Sequence, residues 1–260
     1  MKVGILGWGA IGSWVGEKLY NGSIPGVTLE AVASRNYRLP APVKCIEPLE
    51  LSQCVDVVIE TAGHEAVNDY VPGLLEKGIR VVLVSTGALR DQGLYDELAK
   101  AGGDRLILST GAIGGVDIVR ACRQAGNIES ITLSTTKPSL ALERPWMSAE
   151  MIAQIREGRE VVECYRGSAL AATELFPESV NVAATLAFAA GSWEPVDVRI
   201  FADPLATLNS HKIDIVSDIG LYKVEVSNHP LPSNPKSSAL VGASLLRSLH
   251  DLTTNLPTFM

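Results

Sequence analysis

The chain is poor in aromatic residues, which fill 5% of its 260 positions. Its apolar content of 47% therefore rests on Ala, Val, Leu and Ile, the composition of parallel sheets covered by helices. Positive charge is also in short supply. With 29 acidic and 22 basic residues the net charge is −7, which argues against nucleic acid or an anionic membrane as the main partner. A small anionic substrate remains compatible, because a few local cations can hold one. No apolar run reaches the ~20 residues that a membrane-spanning helix needs. The four cysteines, Cys45, Cys54, Cys122 and Cys164, form no C-x-x-C pair and stand at no metal-ligand spacing. No metal site is expected, and the thiols read as reduced in a cytoplasmic setting. No signal peptide is expected at the start, since Lys2–Leu6 runs straight into a glycine turn.

What is present first is an alternation of strand-like and helix-like segments. Strands are expected at Lys2–Leu6, Val27–Ala33, Asp56–Glu60, Arg80–Val84 and Arg105–Ser109. Helices are expected at Ala10–Tyr20, His64–Lys77 and Asp91–Ala101, with residues 34–54 irregular. This rhythm predicts βαβ units and a doubly wound parallel sheet over residues 1–110. Beyond it the pattern changes. Helices are expected at Gly114–Ala125, Ser148–Glu157 (with Ser148 as N-cap) and Asn181–Ala190. Strands are expected at Ile128–Thr136, Pro195–Phe201, Lys212–Val216 and Leu221–Val226, and the short links between the last three favour antiparallel neighbours. The fold class is thus α/β: an N-terminal Rossmann-type domain, then an α+β domain over 111–237 with an open, mostly antiparallel sheet. A final amphipathic helix, within 238–260, is expected to join the first domain.

The turn Gly7-Trp8-Gly9-Ala10-Ile11-Gly12 follows a strand and opens a helix, the context in which G-x-G-x-x-G binds a dinucleotide. Gly7 allows the tight turn, Gly9 lets the backbone approach the pyrophosphate and Gly12 permits close helix packing. The phosphates then sit on the free N–H groups at the helix start. A ligand-free glycine turn is the competing reading. The second strand ends Ala33-Ser34-Arg35-Asn36, with no acid to bond a ribose 2′-hydroxyl. Ser34 and Arg35 suit a 2′-phosphate, so the cofactor is read as NADP or NAD with a leaning to NADP; Arg35 as plain solvated surface is the alternative. Ala62, Gly63 and His64, after the third strand, and Ser85, after the fourth, fall at the carboxyl edge where ligands bind.

A series of further motifs runs through the second half: Ser109-Thr110-Gly111-Ala112-Ile113-Gly114-Gly115-Val116-Asp117, Thr136-Lys137-Pro138, Phe176-Pro177 before Asn181-Val182-Ala183-Ala184, Ala202-Asp203-Pro204, Asn209-Ser210-His211 and Asn234-Pro235-Lys236-Ser237-Ser238. In order and content this series resembles the L-aspartate dehydrogenase family over nearly the whole chain. The resemblance implies reversible NAD(P)-dependent oxidative deamination of L-aspartate, through iminosuccinate, to oxaloacetate and ammonia. It implies that His211 is the active-site histidine and that Ala112 and Asn181 lie on the nicotinamide side. It also implies a role in either NAD biosynthesis or aspartate breakdown. The family usually carries Thr-Arg-Lys-Pro where this chain has Thr135-Thr136-Lys137-Pro138, so Thr136 stands in the place of that arginine.

The residues themselves offer four histidines. His250 lies in the terminal helix, His229 in a proline turn, His64 at the cofactor edge and His211 at the start of a second-domain strand. A histidine titrating near neutral suits water activation and proton handling, and a packed structural histidine is the rival reading at each position. A substrate with two carboxylates calls for cations, and Lys137 and then Lys236 are the candidates, against the default of solvated lysine. Asn181 reads equally as a ligand contact and as a helix N-cap. Other readings are a dihydrodipicolinate-reductase-like or sugar-dehydrogenase-like enzyme on the same plan, or a non-catalytic dinucleotide sensor. The sugar enzymes usually carry Glu-Lys-Pro after the fourth strand, where this chain has Ser85-Thr86-Gly87. The open second sheet needs cover, so a homo-oligomer, most simply a dimer, is expected.

Overall fold

The computed structural model describes residues 1–35, 43–139, 142–176, 181–231 and 234–254, which form two compact units. Met1–Gly111 with Val241–Met260 make the first and Ala112–Leu240 the second. Asn36 and Pro177 fall outside the described residues.

The first unit is built from β1 (Lys2–Leu6), α1 (Ala10–Tyr20), β2 (Thr28–Ala33), β3 (Lys44–Cys45), β4 (Val57–Glu60), α2 (His64–Glu76), β5 (Arg80–Leu83), α3 (Gln92–Gly102) and β6 (Leu106–Leu108). All six strands run parallel in the order β3-β2-β1-β4-β5-β6. The order reverses at β1, so the ends of β1, β2 and β4 frame a crevice at the carboxyl edge. The central strands are aliphatic on both faces because helices cover both: Val57, Val58 and Ile59 are fully buried. Asp91 caps α3 by accepting from the Leu94 N–H. The segment expected to be irregular instead holds β3 and a 3-10 turn over Pro48–Gln53. A two-residue edge strand carries too little period-2 pattern to be read from sequence.

The second unit contains α4 (Val116–Ala125), β7 (Ile128–Pro138), α5 (Ala149–Glu157), β8 (Val162–Ser168), α6 (Ala169–Leu175), α7 (Asn181–Ala190), β9 (Val196–Asp203), β10 (Asn209–Ser217), β11 (Gly220–Asn228), β12 (Pro230–Leu231) and β13 (Asn234–Ser238). Its main sheet has the order β11-β10-β7-β9-β8. The sheet is open and mostly antiparallel; β7 and β9 are parallel. The expectation that the last three strands lie side by side holds for the β10–β11 hairpin but fails for β9. That strand returns to the far side of β7, because helices α5, α6 and α7 intervene between β7 and β9 and make a parallel crossover possible. Ser148 caps α5 through the Met151 N–H, as its position predicts. The last helix among the described residues is α8 (Ala239–Thr253). From Val241 this helix belongs to the first unit, where Gly242 gives the close approach that the Trp14 indole requires.

One face of the second sheet changes character along its strands. Over residues 131–137 of β7, 196–202 of β9 and 209–215 of β10 burial alternates, so every second side chain enters the same covered layer. Along that face Ile131, Leu133, Val196, Val198, Ile200, Ile213 and Ile215 are buried aliphatics. At the other end of the strands the buried positions become Thr135, Lys137, Asn209 and His211.

Candidate active site

In the first unit the loop after β1 is shaped by contacts that a side chain would destroy. Gly7 has φ +96°, and a Cβ there would fall 2.6 Å from the Ala62 Cα. At Gly12 a Cβ would lie 2.6 Å from Thr61 Oγ1 and collide with the Gly7 carbonyl oxygen, so this glycine packs on the loop itself and the end of β4. Thr61 Oγ1 in turn donates to the Gly7 carbonyl at 2.9 Å. Gly9 is different: nothing within 4 Å would meet its Cβ. The protein does not need a glycine there, whereas a ligand approaching the backbone would. The start of α1 has no side-chain cap and no acid in its first turn, so the N–H groups of Ala10, Ile11 and Gly12 meet an incoming anion without competition. The Trp8 indole folds back onto α1 over Gly16.

A cavity of about 650 Å³ opens at this loop, a volume typical of small-molecule sites. Gly7, Gly9, Ser34, Arg35 and Ala62 line it, together with Cys45 and with Glu47 and Glu50 of the 3-10 turn. The Glu50 carboxylate is turned back on the Glu47 N–H. The residues present fit a dinucleotide: an uncapped helix start for the pyrophosphate, an open Gly9, and Ser34-Arg35 at the end of β2.

The other residues expected at this edge behave differently. The N–H groups of Ala62 and Gly63 donate to Glu60 Oε1 at 2.8 and 2.9 Å, so the turn faces inward with its donors. Ser85 is buried, with its hydroxyl donating to Glu60 Oε1 at 3.0 Å and its N–H to Oε2 at 3.0 Å. His64 opens α2 and lines a separate shallow crevice with Asn68, Arg90 and Asp91. Glu60 is a site residue without a motif of its own; its signal in the sequence is an acid closing the buried run Val57-Val58-Ile59.

In the second unit the register of β7 against β10 puts Thr135 directly opposite His211. Thr135 Oγ1 and His211 Nδ1 share a hydrogen bond at 3.0 Å. Lys137, two residues on, enters the same face and is only 4% exposed, rare for a lysine. Burial, and secondarily the charge of Lys137, push the His211 pKa down to about 3. The expectation of a histidine titrating near neutral is therefore corrected: at neutral pH this imidazole is uncharged. Asn209 pairs with Asn228 across the β10–β11 hairpin, and Asn228 Nδ2 donates to the Ala112 carbonyl at 2.9 Å. Ala112 is thereby held against the strand that pairs with the one carrying His211. The helix expected at Asn181–Ala190 is α7 with those bounds, and Asn181 is its first residue. Lys236 lies in β13, and its side chain is outside those described.

Thr136, which stands where the family carries arginine, points to the opposite, open face. Its neighbours across the register are Ser210 and Phe201. The departure from the family pattern thus leaves the Thr135–Lys137–His211 face untouched. His229 and His250 are exposed, and His250 lies beside Asp251 in α8. Among the described residues no group of acids, cysteines and histidines could hold a metal ion.

A parallel six-stranded sheet with this loop, joined to a mixed-sheet unit with a buried histidine and lysine, defines a two-unit nicotinamide-dinucleotide-dependent dehydrogenase. Comparison with known proteins narrows the class. Residues 117–252 match the family model described as aspartate dehydrogenase, C-terminal, and residues 7–105 match the homoserine dehydrogenase NAD binding domain. The L-aspartate dehydrogenase of Methanocaldococcus jannaschii is 35% identical, with 97% of each chain covered. That of Pseudomonas aeruginosa is 33% identical, with 96% of each covered. The crystal structure of aspartate dehydrogenase from Thermotoga maritima superposes with TM-score 0.78 at 26% identity, covering 100% of this chain and 99% of that one. The chain belongs to the L-aspartate dehydrogenase family.

Proposed function

We propose that this protein oxidises L-aspartate with NAD(P) to iminosuccinate and that water then converts the imine to oxaloacetate and ammonia, reversibly. The observation that carries this reading is the change along one sheet face from aliphatic side chains to buried Thr135, Lys137 and His211, within a chain of this family.

The chemistry assigns each group a part. When bound, the nicotinamide ring supplies the acceptor for the hydride leaving Cα. Lys137 binds a substrate carboxylate, whose negative charge meets the ammonium in a charge-assisted hydrogen bond. That same charge relieves the pressure of Lys137 on His211 and raises its basicity in the complex. His211 Nε2 then takes a proton from the water that attacks the imine carbon. Thr135 steadies the imidazole, because a hydroxyl can donate to Nδ1 or accept from it as the proton moves. Ala112 and Asn181 serve the nicotinamide side, and Lys236 is a second carboxylate contact. In the first unit the pyrophosphate rests on the α1 N–H groups of Ala10, Ile11 and Gly12.

The finer cofactor choice follows from Ser34 and Arg35: with no acid ending β2, NADP is preferred over NAD. The turn Ala62-Gly63-His64 contacts the cofactor through carbonyls, side chains and Cα atoms, since the N–H donors of Ala62 and Gly63 are engaged by Glu60, while Ser85, whose hydroxyl and N–H both go to Glu60, supports this edge from beneath. The protein works as a homodimer in the cytoplasm. The open sheet face, with Thr136 and the Ser210–Ser227 hydroxyl pair, is its pairing surface, and four free cysteines suit reducing conditions. Iminosuccinate so formed can feed NAD biosynthesis. The test is turnover: the purified protein should reduce NADP or NAD with L-aspartate and not with D-aspartate or L-glutamate.

A further inference from the structure

Glu60 is a buried carboxylate that the proposed chemistry leaves unused. It ends β4, is 0% exposed, and lies in the parallel sheet beside the order reversal at β1. Four donors converge on it: the N–H groups of Ala62, Gly63 and Ser85, and the Ser85 hydroxyl. Three of these meet Oε1 and one meets Oε2. Burial pushes the carboxyl pKa up, and the hydrogen bonds pull against it. A fully buried acid costs stability unless its acceptors are satisfied, so its donors identify what it is for. They come from two separate turns at the carboxyl edge: the one after β4, which lines the dinucleotide cavity through Thr61 and Ala62, and the one closing β5. The first of these also buttresses the glycine loop. Ala62 sits where a Gly7 side chain would be, and Thr61 Oγ1 bonds the Gly7 carbonyl.

We propose that Glu60 is a positioning residue for the dinucleotide. One carboxylate clamps the two turns together and, through Thr61 and Ala62, holds the Gly7–Gly12 loop in the shape that receives the pyrophosphate. This rests on the dinucleotide reading of the first unit. The chain of contacts is short: Glu60 Oε1 to the Ala62 N–H, Ala62 against Gly7, and Gly7 against Gly12. Glutamine is nearly isosteric with glutamate but cannot replace it. Its amide oxygen can serve the crowded Oε1 position, and its NH₂ must then face the Ser85 N–H, donor against donor.

The experiment compares the full-length protein with Glu60→Gln and Ser85→Ala. It measures NADPH binding by fluorescence, the KM for L-aspartate and kcat at saturating cofactor. Glu60→Gln is expected to raise the NADPH dissociation constant at least ~tenfold, as for one lost buried charge-assisted bond. The KM for L-aspartate and kcat at saturation should stay within about threefold, a split that general destabilisation would not produce. Ser85→Ala removes one donor and should weaken NADPH in the same direction by a smaller factor; it carries the test if Glu60→Gln does not fold. Unchanged NADPH affinity in a folded Glu60→Gln, or in Ser85→Ala when that variant stands alone, overturns the assignment of Glu60 and leaves the dinucleotide reading standing. Failure of the parent protein to bind any dinucleotide overturns both.

Discussion

His211 Nδ1 and Thr135 Oγ1 face each other at 3.0 Å across the β10–β7 pair, on the covered side of the second sheet. The hydrogen bond occupies Nδ1, so the proposed chemistry falls to Nε2. His211→Ala should lower kcat by roughly 10²–10⁴-fold, the cost of removing an acid–base group. Thr135→Val keeps the volume and removes only the hydroxyl, and should cost about tenfold. Steady-state turnover at saturating L-aspartate reads both; wild-type kcat in the His211 variant contradicts its role.

The same burial predicts how stability depends on pH. His211 has its pKa at about 3 when folded and near the ordinary value of 6.5 when unfolded. Between those values the unfolded chain binds the extra proton, so stability is full above pH ~6.5 and falls as the pH drops towards ~3. One such group contributes a slope on the order of 1 kcal/mol per pH unit in that window. Urea unfolding at pH 7 and pH 5 should show the loss, and His211→Asn should flatten it.

Lys137 lies near the His211 ring and lowers its pKa. Lys137→Met should raise the KM for L-aspartate by roughly 10–100-fold, as for a lost bond to a charged group. The acid limb of the kcat/KM pH profile should move upward, because the lesser of the two causes that hold the His211 pKa down is gone while burial remains. An unchanged KM would place the substrate carboxylates elsewhere.

The three glycines of the first loop separate fold from ligand. Gly12→Ala drives a Cβ towards Thr61 and the Gly7 carbonyl and should lower the melting temperature as well as cofactor affinity. Gly9→Ala meets nothing and should leave the melting temperature unchanged while weakening NADPH binding at least ~tenfold. Thermal melts with and without NADPH tell the two apart.

Arg35 is exposed on the cavity wall, and Arg35→Ala should reduce the NADP-over-NAD ratio of kcat/KM by about tenfold or more. A ratio near unity in the parent protein would remove the basis for the preference.

The first unit is legible in the sequence because its inner strands are buried and its helices are bounded by glycines, with Asp91 capping α3. β8 and α6 escape such a reading for a physical reason. The bulge between Glu163 and Tyr165 breaks the period-2 pattern of β8, and Arg166 and Arg199 draw Glu163 into a surface ion cluster that resembles loop composition. The placement of β9 beside β7 depends on the packing of α7 on α4 and α6, which no local pattern encodes. In the site, His211 and Lys137 can be named from the chain, but their shared face requires the β7–β10 register. Glu60 escapes notice because a carboxylate inside an aliphatic strand declares its purpose only through its donors.

L-aspartate oxidation is tested most directly by absorbance at the reduced-nicotinamide band, with purified protein and L-aspartate, in parallel with NADP and NAD. A rise with L-aspartate is predicted, faster with NADP, and none with D-aspartate or L-glutamate. No rise with either cofactor, and no oxidation of NADPH or NADH with oxaloacetate and ammonia, would contradict the assignment.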